Sequence, residues 1–121
     1  MIPSIFPLVA ADAECKAALG SDPVRFLMFG FADQNTPKPY SVWQQIGGLP
    51  ENYLGMTPDA DTYYVQIDVY GTTSASAIAA ATALRNVIEK HAHVVSWRGQ
   101  TREPETKDYR VSFDVKWVQT R

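Results

Sequence analysis

At 121 residues, 45% apolar and 20% charged, the chain has the composition of one ordinary globular domain, spanning 1–121, with material for a core that needs no staples. A formal net charge of −2 argues against non-specific nucleic-acid binding as the main task, because phosphate affinity comes from clustered Lys and Arg. The single cysteine, Cys15, excludes an internal disulfide, and no apolar run approaches the ~18 residues of a membrane span.

The apolar run Ile2 to Ala11, followed by Ala11-Asp12-Ala13, resembles a leader with its cleavage site. No Lys or Arg precedes it, and Pro3, Ser4 and Pro7 interrupt it, so it is expected to open a helix in a soluble, cytoplasmically made chain. That helix is expected over 4–19. Ser4 can cap it, Pro7 falls in its first turn, and Ile5, Leu8, Val9, Cys15 and Leu19 form its apolar side. Gly20 suits its end.

Asp22-Pro23 marks a turn, and Val24 to Phe29 reads as a short strand. A loop follows over 30–39, then a strand from Tyr40 to Ile46 that Gly47-Gly48 ends or bulges. The loop expected over 49–61 carries Tyr53, Leu54 and Met56, which are less polar than a solvated connector requires. It either folds back on its own domain or is ordered by a partner.

Tyr63 to Tyr70 alternates cleanly, with Tyr63, Val65, Ile67 and Val69 opposite Tyr64, Gln66, Asp68 and Tyr70. After Gly71, a cap among Thr72, Thr73 and Ser74 starts a long helix whose stripe is Ile78, Ala81, Leu84 and Ile88, flanked by Ala77, Ala80 and Val87. His93 to Arg98 is a further strand, 99–108 a charged turn, and Tyr109 to Val118 the last strand. In that strand Tyr109, Val111, Phe113, Val115 and Trp117 face the core, and Arg110, Ser112, Asp114 and Lys116 face away. The last two strands are expected to form a hairpin.

The order α-β-β-β-α-β-β predicts an α+β fold: a two-layer sandwich with a mostly antiparallel sheet of about five strands and two helices on one face. The segment 62–98 can form one right-handed crossover, giving a parallel pair inside the sheet. The opposite sheet face, with Tyr64, Gln66, Asp68, Tyr70, Arg110, Ser112, Asp114 and Lys116, is either solvated or set against another subunit.

Signals for catalysis are thin. His91-x-His93 offers two of the three or four ligands that zinc needs, Glu89 or Asp residues would have to complete the site, and His91 suits a helix end instead. Glu103, Glu105 and Asp108 lie among Arg102, Lys107 and Arg110 and read as solvated hairpin charges, since a working acid–base pair needs burial to separate its pKa values. Asp59 and Asp61 lack the glycine and glutamate of a calcium loop. Cys15 reads as a small buried hydrophobe. Trp43, Trp97 and Tyr109 could stack bases on a sheet, but no basic stripe accompanies them. The expectation is a non-enzymatic chain with no cofactor and no metal.

Several stretches carry a resemblance: Pro39-Tyr40, Val42-Trp43-Gln44, Pro50-Glu51-Asn52-Tyr53-Leu54, Val65-Gln66-Ile67-Asp68-Val69-Tyr70 and Tyr109-Arg110-Val111-Ser112-Phe113-Asp114, together with the opening MIPSIFPLVAADAECKAAL. In this order and spacing they resemble the tail completion family of long-tailed phages and prophages. The resemblance implies a structural protein that closes the head-proximal end of the tail tube and helps join it to the head connector. It also implies a six-fold ring through whose channel DNA only passes, with the tail tube protein, the connector protein and other copies of the chain as partners. The place implied is the host cytoplasm during assembly and the head–tail junction of the virion afterwards, with no membrane partner. Phe31, Tyr53, Leu54, Met56, Tyr64, Tyr70, Arg98, Arg102 and Arg110 are the candidate interface residues, on the loops 30–39 and 49–61, the outer sheet face and the turn 99–108. The alternative is a small-molecule or peptide-binding α+β module, which would show a closed polar pocket and a saturable ligand.

Overall fold

The computed structural model describes residues 5–20, 24–31, 36–50, 60–104 and 106–120. Its elements are α1 (Phe6–Ala11), α2 (Ala13–Leu19), β1 (Phe26–Met28), β2 (Tyr40–Pro50), β3 (Ala60–Gly71), α3 (Ser74–Ile88), β4 (His93–Arg102) and β5 (Tyr109–Thr120). The strands form one five-stranded sheet in the order β1-β2-β3-β5-β4, with every pair antiparallel except β1 beside β2. α3 lies against β3 and β5, and α1 and α2 pack on α3, so the helices form one layer and the sheet the other.

The first helix is two helices. Asp12 leaves helical geometry at φ −84 and ψ 128, closing α1, and its carboxylate accepts the Cys15 N–H at 3.0 Å to open α2. A short acidic side chain satisfies a free first-turn N–H better than it serves a helix interior, so the chain breaks there. That N–H also holds the Asp12 carboxyl below its ordinary pKa. The break lets Ile5, Val9, Cys15 and Leu19 all reach the core. α1 has Ile5 as its N-cap with no side-chain bond, and Ser4 lies outside the described residues.

β1 is shorter than the sequence pattern suggests, and β2 is longer. β2 runs through Gly47-Gly48 by a bulge between Gln45 and Gly47, with Ile46 as the extra residue. Leu49 and Pro50 therefore pair with Thr62 and Asp61 as strand, where a loop over 49–61 was expected. The crossover expectation is also corrected. β3 and β4 run parallel, but β5 lies between them, and the hydrogen-bonded parallel pair is β1–β2. The physical reason is burial. Val111, Phe113 and Val115 of β5 are at most 1% exposed and demand a central place, whereas most of β4 is exposed and suits an edge. β4 also runs on to Arg102, so the charged turn shrinks to 103–108, where the Glu103 N–H donates to Asp108 O and the Lys107 N–H to Glu103 O, each at 2.8 Å.

α3 begins with a reciprocal cap: the Ser76 N–H donates to Thr73 Oγ1 at 3.1 Å and the Thr73 N–H to Ser76 Oγ at 3.4 Å. Ala77, Ala80, Ala81, Leu84, Val87 and Ile88 are buried, but Ile78, expected in the stripe, is 38% exposed. The buried alanines keep the apolar face of α3 low against the strands. Gly71 shares this need for close approach, because a Cβ there would lie 2.6 Å from Ser76 Oγ and 2.9 Å from the Ala77 backbone nitrogen. Beneath α3 the core is Tyr63, Val65, Ile67 and Val69 of β3 with Val111, Phe113, Val115 and Trp117 of β5, the alternation the sequence carries.

Candidate interaction surfaces

The sheet face away from the helices is a grid of cross-strand rows. Antiparallel register sets Tyr40, Tyr70 and Arg110 in one row, Val42, Asp68 and Ser112 in the next, then Gln44, Gln66 and Asp114. Side chains opposite one another across such a ladder are within contact reach.

Asp68 is the hub of this face. Its Oδ1 accepts from Ser112 Oγ at 2.6 Å, Arg110 Nη2 at 3.0 Å and Arg110 Nε at 3.3 Å. Gln66 Nε2 donates to both carboxylate oxygens, at 3.3 and 3.2 Å. Arg110 reaches Glu103 as well, at 3.5 Å, and its guanidinium lies 6.0 Å from the Tyr70 ring, which stacks on Tyr40 at 5.2 Å. Burial raises the pKa of both phenols, so they stay protonated donors. Beside them, Lys38 Nζ pairs with Asp108 at 3.0 Å, tying the approach to β2 to the β4–β5 turn. Tyr40, Tyr70, Glu103, Thr106, Asp108 and Arg110 border a broad polar depression of about 620 Å³.

One row further, Arg98 stands as the extra residue of a bulge in β4 between Trp97 and Gly99. Its Nε and Nη2 both donate to Asp114 Oδ2, at 2.9 and 2.8 Å. Asp114 Oδ1 is buried with no hydrogen-bond partner among the described residues.

The expected interface residues therefore separate. Tyr70 and Arg110 meet, and Arg98 lies two rows away through Asp114. Tyr64 sits opposite Lys116 further along the same face. Arg102 is on the helix side, its guanidinium 5.1 Å from the Tyr109 ring centroid. Phe31 is at the β1 edge and 73% exposed. Tyr53, Leu54 and Met56 lie outside the described residues. Sequence reasoning placed Asp68 and Asp114 on this face without seeing them as its organising groups. Their position opposite Ser112 and Gln66 would have signalled it once the register was known. Phe29, 56% exposed, was missed because it was placed inside a strand that ends at Met28.

The groups weighed for chemistry do not converge. His91 lies in the α3–β4 link and His93 opens β4, both exposed, and among the described residues no three His, Cys, Asp or Glu side chains gather as metal ligands. Glu103 and Asp108 each have their own cation, Arg110 and Lys38. Glu105 and Asp59 lie outside the described residues, and Asp61 is buried. Trp43 stacks on Phe26 at 6.2 Å in the core, and Trp97 stacks on Phe113 at 5.2 Å beneath Arg85. Both tryptophans and Tyr109 belong to the helix side of the sheet, so they form no platform on its open face.

Cys15 is fully buried, and burial foremost, with Asp12 adding to it, pushes its thiol up to about 12. A maleimide or iodoacetamide at pH 8 is therefore expected to leave the native chain unlabelled and to modify it fully in denaturant. Mass spectrometry reads the difference, and rapid native labelling would mean that the α1–α2 pair opens readily.

A protein-family model, described as tail completion protein gp17, matches residues 3–120. The chain belongs to the tail completion protein gp17 family. Membership makes it a structural protein of phage tail assembly. No curated protein sequence matches this family member. Among solved structures it is similar to a chain in the virion of a native gene transfer agent (GTA) particle, at 13% identity and a TM-score of 0.70, over 97% of this chain and 92% of that one. At that identity the likeness speaks to the fold, and it supports the two-layer arrangement described above. The broad polar depression beside Tyr40 and Tyr70 in this tail completion chain is open, and the ion-paired groups around it suit contacts with other proteins.

Proposed function

We propose that this tail completion chain closes the head-proximal end of a phage tail tube and helps join it to the head connector, as a ring of six copies. The family match over 3–120 carries the reading. In it the partners are other copies of the chain, the tail tube protein and the connector protein. The chain works in the host cytoplasm during assembly and remains at the head–tail junction of the virion. A ring needs two unlike surfaces that meet head to tail. The exposed β1 edge with Phe31 and the opposite edge of the sheet at β4 are unlike in this sense, which leaves the paired open face around Tyr70, Arg98 and Arg110 for the tube or the connector. A net charge of −2 lets DNA pass a channel without a grip on its phosphates. Tyr53, Leu54 and Met56 supply apolar contacts to the tube or a neighbour in this reading.

Deleting the gene from its phage or prophage tests the role. Electron microscopy should then show filled heads apart from tails, or tails of uncontrolled length, with joined particles restored by the gene in trans. Normal joined virions after deletion would sink the proposal.

A further inference from the structure

We infer that the Phe29–Phe31 turn of one copy plugs the groove between α3 and the β4–β5 hairpin of the next copy, forming the repeating contact of the ring. The inference rests on the ring reading above and assigns its surfaces.

The plug is a built feature. The turn after β1 is closed by the Phe31 N–H donating to Met28 O at 3.1 Å, and Gly30 takes φ +84 to allow it. The turn holds Phe29 and Phe31 out at 56% and 73% exposure, the two most exposed large apolar side chains among the described residues. Two aromatic rings held outward by an ordered turn mark a contact surface more than a solvated one does.

The socket lies at the other side of the sheet. It is a groove of about 250 Å³, lined by Ala77, Ile78, Thr101, Arg102, Tyr109 and Val111 among others. An apolar cavity of about 150 Å³ can hold a benzene ring, so a groove of this size admits a phenyl group. Ile78 explains itself here: it turns from the core because it lines this groove.

Charge fits the pairing. The guanidinium bordering the groove is that of Arg102, since Arg110 turns its own to Asp68 on the open face. A phenyl face is the negative side of its quadrupole, and Arg102 already lies over the Tyr109 ring, so an entering ring meets the guanidinium favourably.

Topology names the occupant. β1 is one edge of the sheet and β4 the other, so plug and socket occupy opposite edges of one chain. A surface complementary to another surface elsewhere on the same molecule makes a heterologous contact, which closes into a ring where the rotation permits. A second copy therefore supplies what each edge lacks.

The test is a double variant, Phe31→Cys with Ile78→Cys, supplied in trans to the gene deletion. Cys15 is buried and stays silent. Joined particles are treated with a short bis-maleimide and run on a denaturing gel. The expected result is a ladder of this chain alone, seen with the double variant and with neither single variant. Joined particles without a ladder, or a cross-link from position 31 to a different virion protein, overturn the inference and leave the tail-joining role intact. If the double variant does not assemble, Phe31→Glu and Ile78→Glu chains are mixed at high concentration and followed by sedimentation. Each alone should be a monomer, and the mixture should give a one-to-one dimer that grows no further. Unpaired mixtures, or variants that associate as the wild type does, overturn the inference. Virions that join normally without the gene would instead remove the function on which it rests.

Discussion

Replacing Phe113 with alanine is expected to destabilise the chain by about 4 kcal/mol, near the cost of emptying a fully buried aromatic site. Phe113 is fully buried at the middle of β5, opposite Ile67 on one side and Trp97 on the other. Its ring lies 5.2 Å from that of Trp97 at an interplanar angle of 14°, and Arg85 of α3 caps the Trp97 ring at 5.3 Å. Removing the ring opens a cavity beneath α3 and takes away the support of the β4 edge. Phe113→Leu keeps most of the volume and is expected to cost about 1.5 kcal/mol. Urea denaturation followed by circular dichroism reads both. A loss under ~1 kcal/mol for the alanine variant would mean that α3 and β5 collapse onto the gap, against the tight packing described.

The second large effect belongs to the open face. Asp68→Ala is expected to cost about 2–3 kcal/mol, because it strands the Arg110 charge and leaves the donors of Ser112 and Gln66 without their acceptor. The figure sits below that for a fully enclosed ion pair because the Arg110 side chain is 32% exposed and keeps Glu103 nearby. Arg110→Ala should cost less, since Asp68 then retains Ser112 and Gln66. The double variant should cost less than the two single changes added together. Strict additivity in denaturant titrations would mean that the two side chains are neighbours without energetic coupling.

The sequence makes some of this architecture readable and hides the rest for definite reasons. β3, α3 and β5 are legible because each holds one period over its whole length, and the burial of Val65, Ile67, Leu84, Phe113 and Val115 follows from it. β4 is less legible because two bulges, at Val95 and Arg98, break its alternation. The neighbour of a strand is not a local property: nothing in 24–29 announces a parallel partner, and nothing in 93–98 announces that β5 will come between β3 and β4. The Asp12 break carried a local signal, an acid just before Ala13-Glu14, but the apolar spacing on both sides masked it. The open face was legible as a mixed polar surface. Its wiring was not, because Asp68 meets Arg110 only through a register joining residues 42 positions apart.

The bulges of β4 bear on how copies can meet. A strand recruits another strand by offering an unbroken rhythm of outward N–H and C=O groups. Here that rhythm is interrupted twice within ten residues, once at Val95 and once at Arg98. No incoming strand can stay in step with it for more than a short stretch. Main-chain zippering, the route by which open sheets fuse and fibrillise, is thus discouraged at the longest free edge. In the proposed ring, cohesion between copies then falls to side chains, whose strength single substitutions can tune and which can let go.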